Sequence, residues 1–406
     1  MKKISGNPYL NKKEGNVLID TILLNDILSN STTPLMIFLE NRVRDNINSF
    51  CRVFKSVFKN FQCFYSFKAN FLPEICKIIQ SEGIGAELIG LPELNLALKL
   101  QFLPNKIIVG GPYLPHDLIE KCIQENIKEI IVYNLNDLIQ INSIAKKYHK
   151  IQNICIRINS QKYGSKLGIV LDKSKLTKLT NLVKECENIK LITILSHYST
   201  QMNNFGQFKK NVESLIENIK ILSDAGINVE NINLGGGFPE AVIMPETQLR
   251  EIANNINSTL SNSEFNFKNI YFEPGRYFIG DAGIFLAKII KVSEDRWIFL
   301  DIGNHICPKF AKCSLRFYNA SKINEPHKFK TSIAGIVPTD QDVLAKNYFF
   351  TKYLKENDIV MVTNVGAYTL TFSNRFPYTL PKIILVKNRT ITEIFDPLRN
   401  YDFSLT

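Results

Sequence analysis

The chain lacks several common signatures, and each absence removes a class of function. None of its eight cysteines (51, 63, 76, 122, 155, 186, 307 and 313) sits in a CxxC pair, so no metal site or thiol-redox motif is expected. Several fall in apolar runs and read as reduced core residues of a cytoplasmic protein. No apolar run approaches the ~20 residues that cross a bilayer. The start, Met1-Lys2-Lys3-Ile4-Ser5-Gly6, is basic without an apolar signal core, so no membrane association is expected. No GxGxxG follows the first strand-like run, which speaks against dinucleotide binding. The net charge of +11 comes from scattered lysines, with no long basic run and no aromatic-interleaved basic strip. Lysine-rich helix surfaces account for it, and no nucleic-acid partner is expected.

What the 406 residues do contain is alternation. Residues 1–33 are polar with one apolar patch and read as a lead-in that packs elsewhere. Thr33-Pro34 then introduces a short strand, Leu35–Leu39, and a helical pattern to about Phe58. β-rich runs follow at 62–67, 84–88, 106–109, 129–132, 153–158, 191–195, 229–234 and 269–272, most of them separated by helical periodicity. That is the pattern of a (β/α)8 barrel over 34–283. Beyond Gly283 short β runs dominate and helical periodicity is scarce, so 284–406 reads as a β-domain.

In a barrel, chemistry sits at the C-terminal ends of the strands. Lys68 ends the first strand, in Tyr65-Ser66-Phe67-Lys68-Ala69-Asn70. An amine in apolar surroundings tends to lose its proton, as an imine with an aldehyde cofactor requires, although a surface-seeking lysine looks the same in isolation. His197 follows another strand, within Ser196-His197-Tyr198-Ser199-Thr200-Gln201, and by itself reads as a structural histidine. Gly235-Gly236-Gly237 is either an anion nest or a tight turn. Glu273-Pro274-Gly275-Arg276 is either a functional acid and base or a local ion pair. Their convergence on one rim fits pyridoxal 5'-phosphate. A lysine tethers its aldehyde, glycine amides and an arginine hold its phosphate, a histidine stacks on its ring, and a carboxylate faces its ring nitrogen.

With those residues in place, and with Gly85-Ala86-Glu87, Ser165-Lys166-Leu167-Gly168 and Gly366-Ala367-Tyr368 in the same order, the chain resembles the alanine-racemase-fold amino-acid decarboxylases. These act on diaminopimelate, ornithine, lysine or carboxynorspermidine, or serve siderophore pathways. The resemblance spans about 33–390. It implies a barrel plus a C-terminal β-domain joined by the N-terminal segment, and a homodimer with shared active sites. It implies Lys68 as the tether, His197 on the ring and Glu273 at the ring nitrogen. Glu87 stands for an acid near the cofactor, and Thr200, Gly235, Gly236, Gly237, Gly275, Arg276 and Tyr368 surround the phosphate. Glu273 speaks against a racemase, which would carry an arginine there.

One loop departs from the pattern. Gly335-Ile336-Val337-Pro338-Thr339-Asp340-Gln341-Asp342 keeps Gly335 and a catalytic-loop Asp342. Pro338 stands where the family has a proton-donating cysteine, and Thr339 where an acid grips a distal amine. The early β-domain stretch Ile306-Cys307-Pro308-Lys309 lacks the arginine of the diaminopimelate enzymes. The main expectation is therefore decarboxylation of an L- or D-amino-acid-type substrate in specialised metabolism, a siderophore- or antibiotic-like intermediate. Thr339, Asp340, Lys309, Arg316 and Arg375 are the candidate substrate contacts. The alternatives are a diaminopimelate or diamine-forming decarboxylase and a cofactor-binding pseudoenzyme.

Overall fold

The computed structural model describes residues 2–160 and 164–400. They form two compact units, one of residues 47–239 and 243–275 and the other of the residues up to Asn46, Glu240–Val242 and those from Arg276 onward.

The first unit is a closed parallel barrel. Its strands are β1 (Phe61–Ser66), β2 (Gly85–Leu88), β3 (Ile107–Gly111), β4 (Glu129–Val132), β5 (Gln152–Ile158), β6 (Ile189–Ser196), β7 (Asn231–Asn233) and β8 (Asn269–Phe272). Each pairs with the next, and β8 closes on β1 through Ile270 opposite Phe61. Alternation along the strands sends Phe64, Ile108, Ile131, Cys155, Leu195 and Tyr271 into one buried cluster. Several helix starts carry their own signals: Pro73 stands in the first turn of Pro73–Ser81, and Asp172 and Asn204 accept the amides of Lys175 and Gln207 at the starts of Lys173–Glu185 and Phe205–Asp224. Packed against β8 lies a ring cluster, with Phe54 and Phe272 centroids 4.3 Å apart. It anchors the strand that leads into Glu273.

The second unit is mostly sheet. Lys2–Ile4, Asn7–Lys13, Asn16–Ile19 and Ile22–Leu23 make a four-stranded antiparallel sheet. A larger nine-stranded sheet runs from the edge strand Val343–Phe350 through Phe329–Ala334, Trp297–Leu300, Gly283–Val292, Leu35–Leu39 and Lys382–Lys387 to Thr390–Phe395, with Ile359–Thr363 and Arg316–Asn319 branching off. The N-terminal apolar side chains Ile4, Leu10, Val17 and Ile19 bury against Leu35, Leu286, Met361 and Ile384 in one core. This corrects the boundary at residue 34. The strand Leu35–Leu39 does not open the barrel; it pairs antiparallel with Gly283–Leu286 and parallel with Lys382–Val386. All five of its residues are buried, which a strand between two sheet neighbours demands but a linear pattern cannot assign to a partner. The Val343–Phe350 and Arg316–Asn319 strands carry exposed polar residues that weaken their β pattern in the sequence. Among the described residues no helix is long and apolar enough to cross a membrane, and no cluster of His, Cys, Asp and Glu is placed to hold a metal.

Candidate active site

The barrel sets its functional residues around the C-terminal mouth. Ser66 and Glu87 are register partners at the ends of β1 and β2, and the Ser66 hydroxyl donates to the Glu87 carboxylate. A short 3-10 turn, Phe67–Ala69, follows β1 and swings Lys68 over that carboxylate. Its Nζ lies 3.1 and 3.0 Å from Glu87 Oε1 and Oε2. The Lys68 side chain is 36% exposed, that of Glu87 only 3%. Lys68 is thus not sunk in apolar surroundings, as its flanking aromatics suggested. Phe67 and Ala69 are buried beside it, while the turn lifts the amine to a carboxylate partner.

Glu273 directly follows β8. Its Oε1 accepts from Asn233 Nδ2 at 2.7 Å, and its amide donates to the Gly235 carbonyl at 2.8 Å. Burial, reinforced by the Glu87 charge, pushes its carboxyl up to about 7 against the pull of Lys68, Asn233 and Arg157. Glu93, whose carboxylate accepts the Ile89 amide at 2.6 Å, is likewise pushed up to about 7 by burial and by Glu87.

His197 follows β6. Packing around the ring, together with the Arg157 and Lys68 cations, pushes it down to about 3, so the imidazole is neutral at physiological pH. The Gly236 amide donates to its Nδ1 at 3.3 Å, which leaves the ring proton on Nε2. Gly235 and Gly237 adopt φ of +64° and +87°. A Cβ on Gly236 would strike the Glu273 carbonyl, and one on Gly237 would strike the Ser199 carbonyl and Met202. Only glycine permits this close approach of backbone to backbone. Thr200 is exposed on the loop facing that turn, and Gly275 is buried beyond Glu273.

Arg157, with its partner Tyr133, and Asn233 also belong to this mouth, and the sequence reading does not include them. Arg157 on β5 donates through Nη1 to the Tyr133 hydroxyl at 2.7 Å and lies 4.8 Å over its ring, while its buried Nε has no hydrogen-bond partner. Asn233 ends β7. A lone arginine in the apolar run Ile154–Ile158, and a polar residue just before the glycines, were the available signals.

The remaining expected residues belong to the sheet unit. Arg276 opens a short helix, and Tyr368 sits at φ +63°. Arg276 donates to Glu240 Oε1 at 3.2 Å and to the Ala311 carbonyl at 2.6 Å, and stacks 4.8 Å over the Tyr368 ring. The sequence had offered Glu273 as the arginine's local partner, but Glu240 fills that place. Asp342 also differs from expectation. It is 2% exposed and accepts the amides of Asn304 at 2.6 Å and Val337 at 2.7 Å. Gly303 and Gly335 leave the space it occupies, since a Cβ on either would strike its carboxylate. It therefore fastens the loop rather than presenting a catalytic carboxylate. Thr339 and Asp340 are exposed at the tip of that loop, and Lys309 is exposed on another turn. Arg375 is half-buried and donates to the Ser373 carbonyl at 2.7 Å.

The barrel residues fit pyridoxal phosphate. An amine held beside a carboxylate, a buried carboxyl at about 7 and a glycine turn that any side chain would fill share one mouth. A family model described as "Pyridoxal-dependent decarboxylase, pyridoxal binding domain" matches residues 44–280.

The chain belongs to the pyridoxal-dependent decarboxylases.

It is a pyridoxal-phosphate-dependent carboxy-lyase acting on amino acids. The diaminopimelate decarboxylase of Methanocaldococcus jannaschii is 26% identical over 415 residues, covering 95% of this chain and 93% of that protein. The L-glutamyl-[BtrI acyl-carrier protein] decarboxylase of Niallia circulans is 29% identical over 353 residues, covering 77% and 79%. The crystal structure of the diaminopimelate decarboxylase from M. jannaschii superposes with a TM-score of 0.87 over 97% of this chain and 96% of that one, at 23% identity, and shares its barrel-plus-sheet fold.

Proposed function

We propose that this decarboxylase removes the α-carboxylate of an amino acid of the diaminopimelate class. The near full-length match to diaminopimelate decarboxylases supports this over a substrate of specialised metabolism. Two observations keep the second reading in view: the Pro338 and Thr339 substitutions and the likeness to a decarboxylase that acts on a carrier-bound glutamyl group. The reaction type rests on one observation, the placing of the Lys68–Glu87 pair and the high-pKa Glu273 around one mouth.

When bound, pyridoxal phosphate supplies an aldehyde for the substrate amine and a ring that takes up the electrons left as carbon dioxide departs. The chain's residues then have separate tasks. Lys68 is the tether, and Glu87 holds its Nζ over the mouth. Glu273, buried and at about 7, gains its charge from a cationic partner, and a protonated ring nitrogen supplies one. Asn233 fixes which oxygen faces that partner. Neutral His197 offers a flat ring face, oriented by Gly236. The Gly235 and Gly236 amides donate to Asn233 and His197, so the glycine turn serves the phosphate through the Gly237 amide, with Thr200, Gly275, Arg276 and Tyr368 as the further contacts the family pattern assigns. With Pro338 in place of a thiol, and His197 too weak a base to carry a proton at neutral pH, Lys68 Nζ returns the proton to the α-carbon. Asp342 keeps the 335–342 loop folded so that exposed Thr339 and Asp340 serve the active site of a second copy in a homodimer.

The deciding experiment measures carbon dioxide release from meso-diaminopimelate, lysine, ornithine, glutamate and a carrier-bound glutamyl thioester. Turnover chiefly of diaminopimelate supports the proposal. Preference for the thioester replaces it with the specialised-metabolism reading, and no release from any substrate points to a pseudoenzyme.

A further inference from the structure

At the opposite end of the barrel, where the strands begin, a cavity of about 430 Å³ is lined by Cys51, Cys63, Lys55, Lys106 and Lys128. Nothing in the decarboxylation uses it. Cys51 comes from the helix Glu40–Val57, one turn before Lys55, and Cys63 from β1. The two thiols share the cavity wall and are close enough for each to shift the other's protonation. Both cysteines are unbridged and buried, at 8% and 9% exposure, and both belong to the cavity wall. Lys106 is exposed at the cavity rim and donates to the Gly83 carbonyl at 3.0 Å, and Lys128 lies 5.4 Å from the Tyr271 ring centroid. Three ammonium groups against the single carboxylate of Glu82 make this wall electropositive.

We propose that this cavity is a thiol-modification site, in which Cys51 captures an anionic low-molecular-weight disulfide and Cys63 resolves the adduct. The Cys51 thiolate attacks one sulfur of the disulfide, forming a mixed disulfide and expelling one thiolate. Cys63 then loses its proton to solvent and attacks the Cys51 sulfur, expelling the second thiolate and closing a Cys51–Cys63 bond. Two protein thiols are oxidised and one external disulfide is reduced to two thiols. The lysines favour an anionic reagent, and the neighbouring Cys63 thiol, then Lys55, favours the Cys51 thiolate, while burial holds Cys63 protonated and makes it the slower partner. Desolvation raises all six other cysteines, Cys76, Cys122, Cys155, Cys186, Cys307 and the half-buried Cys313, and keeps them protonated. The bond ties the helix to the strand that leads to Lys68.

Full-length protein is incubated with oxidised glutathione or with the uncharged disulfide of 2-mercaptoethanol, and cysteine peptides are mapped by mass spectrometry over time. The expected result is glutathionylation at Cys51 first, followed by a Cys51–Cys63 linkage. Cys63→Ser stops at the adduct, and Lys55→Gln loses the preference for glutathione over the uncharged disulfide. Modification spread over the other cysteines, or equal rates with the two disulfides in wild-type protein, overturns the proposal. The wild-type arm decides the question even where a variant fails to fold.

Discussion

Arg276 Nη1 lies 3.2 Å from Glu240 Oε1, with side-chain exposures of 5% and 0%. A charge pair this deeply enclosed holds together only as a pair, because either ion left alone would face the full cost of desolvation. Glu240→Ala is expected to destabilise the sheet unit by about 3 kcal/mol. Glu240→Gln, which keeps one acceptor for the guanidinium, costs less. Chemical denaturation of the two variants checks the order, and equal stability of Glu240→Ala and wild type would refute it.

Lys68→Ala removes both the tether and the amine held over Glu87. Loss of the proton-transfer role alone lowers turnover by about a hundred- to ten-thousandfold. The absorbance that pyridoxal phosphate acquires on joining the wild-type lysine disappears as well. A spectrum unchanged from wild type would remove Lys68 from the mechanism.

Glu273 gives a pH signature in the cofactor-free protein. Its folded value, about 7, lies above the ordinary carboxyl value of 4.5, so the folded state holds its proton more tightly than the unfolded chain. The unfavourable contribution is absent below 4.5, grows as pH rises and is complete above about 7, reaching about 3 kcal/mol. His197, pushed down to about 3, acts in the other direction, costing stability as pH falls below 6.5. Glu273→Gln isolates the first effect. The melting temperature of the variant minus that of wild type is expected to increase from pH 4.5 to pH 7. A flat difference means the carboxyl is not strained by burial.

Asp342→Ala should unfasten the loop that ends in exposed Thr339 and Asp340. Two amides, those of Asn304 and Val337, lose a charged acceptor, at a cost of about 2–3 kcal/mol. Proteolysis is expected to cut residues 335–342 sooner in the variant, whereas an unaltered cleavage pattern would show that something else holds the loop.

Thr339→Asp restores an acid at the loop tip. If that tip faces a substrate's distal amine in a homodimer, kcat/KM for lysine or ornithine relative to diaminopimelate rises by about tenfold, the effect of one charge-assisted contact. An unchanged ratio would place the tip away from the substrate, and light scattering that shows only monomer would exclude the shared site.

The sequence by itself determined the barrel, because the spacing of its apolar runs leaves each strand a buried partner on either side, and it determined the rim position of Lys68, His197, the three glycines and Glu273. Strand ends and glycine turns are local features, and local features are written along the chain. Tertiary structure alone decided the partners. Glu87 reaches Lys68 by strand register, Asn233 reaches Glu273 across two neighbouring strands, and Leu35–Leu39 joins a sheet whose other strands lie some 250 to 350 residues away. It also turned Asp342 inward and gave Arg276 to Glu240. Burial and charge pairing depend on what surrounds a side chain in space, and for these residues the surroundings come from distant parts of the chain.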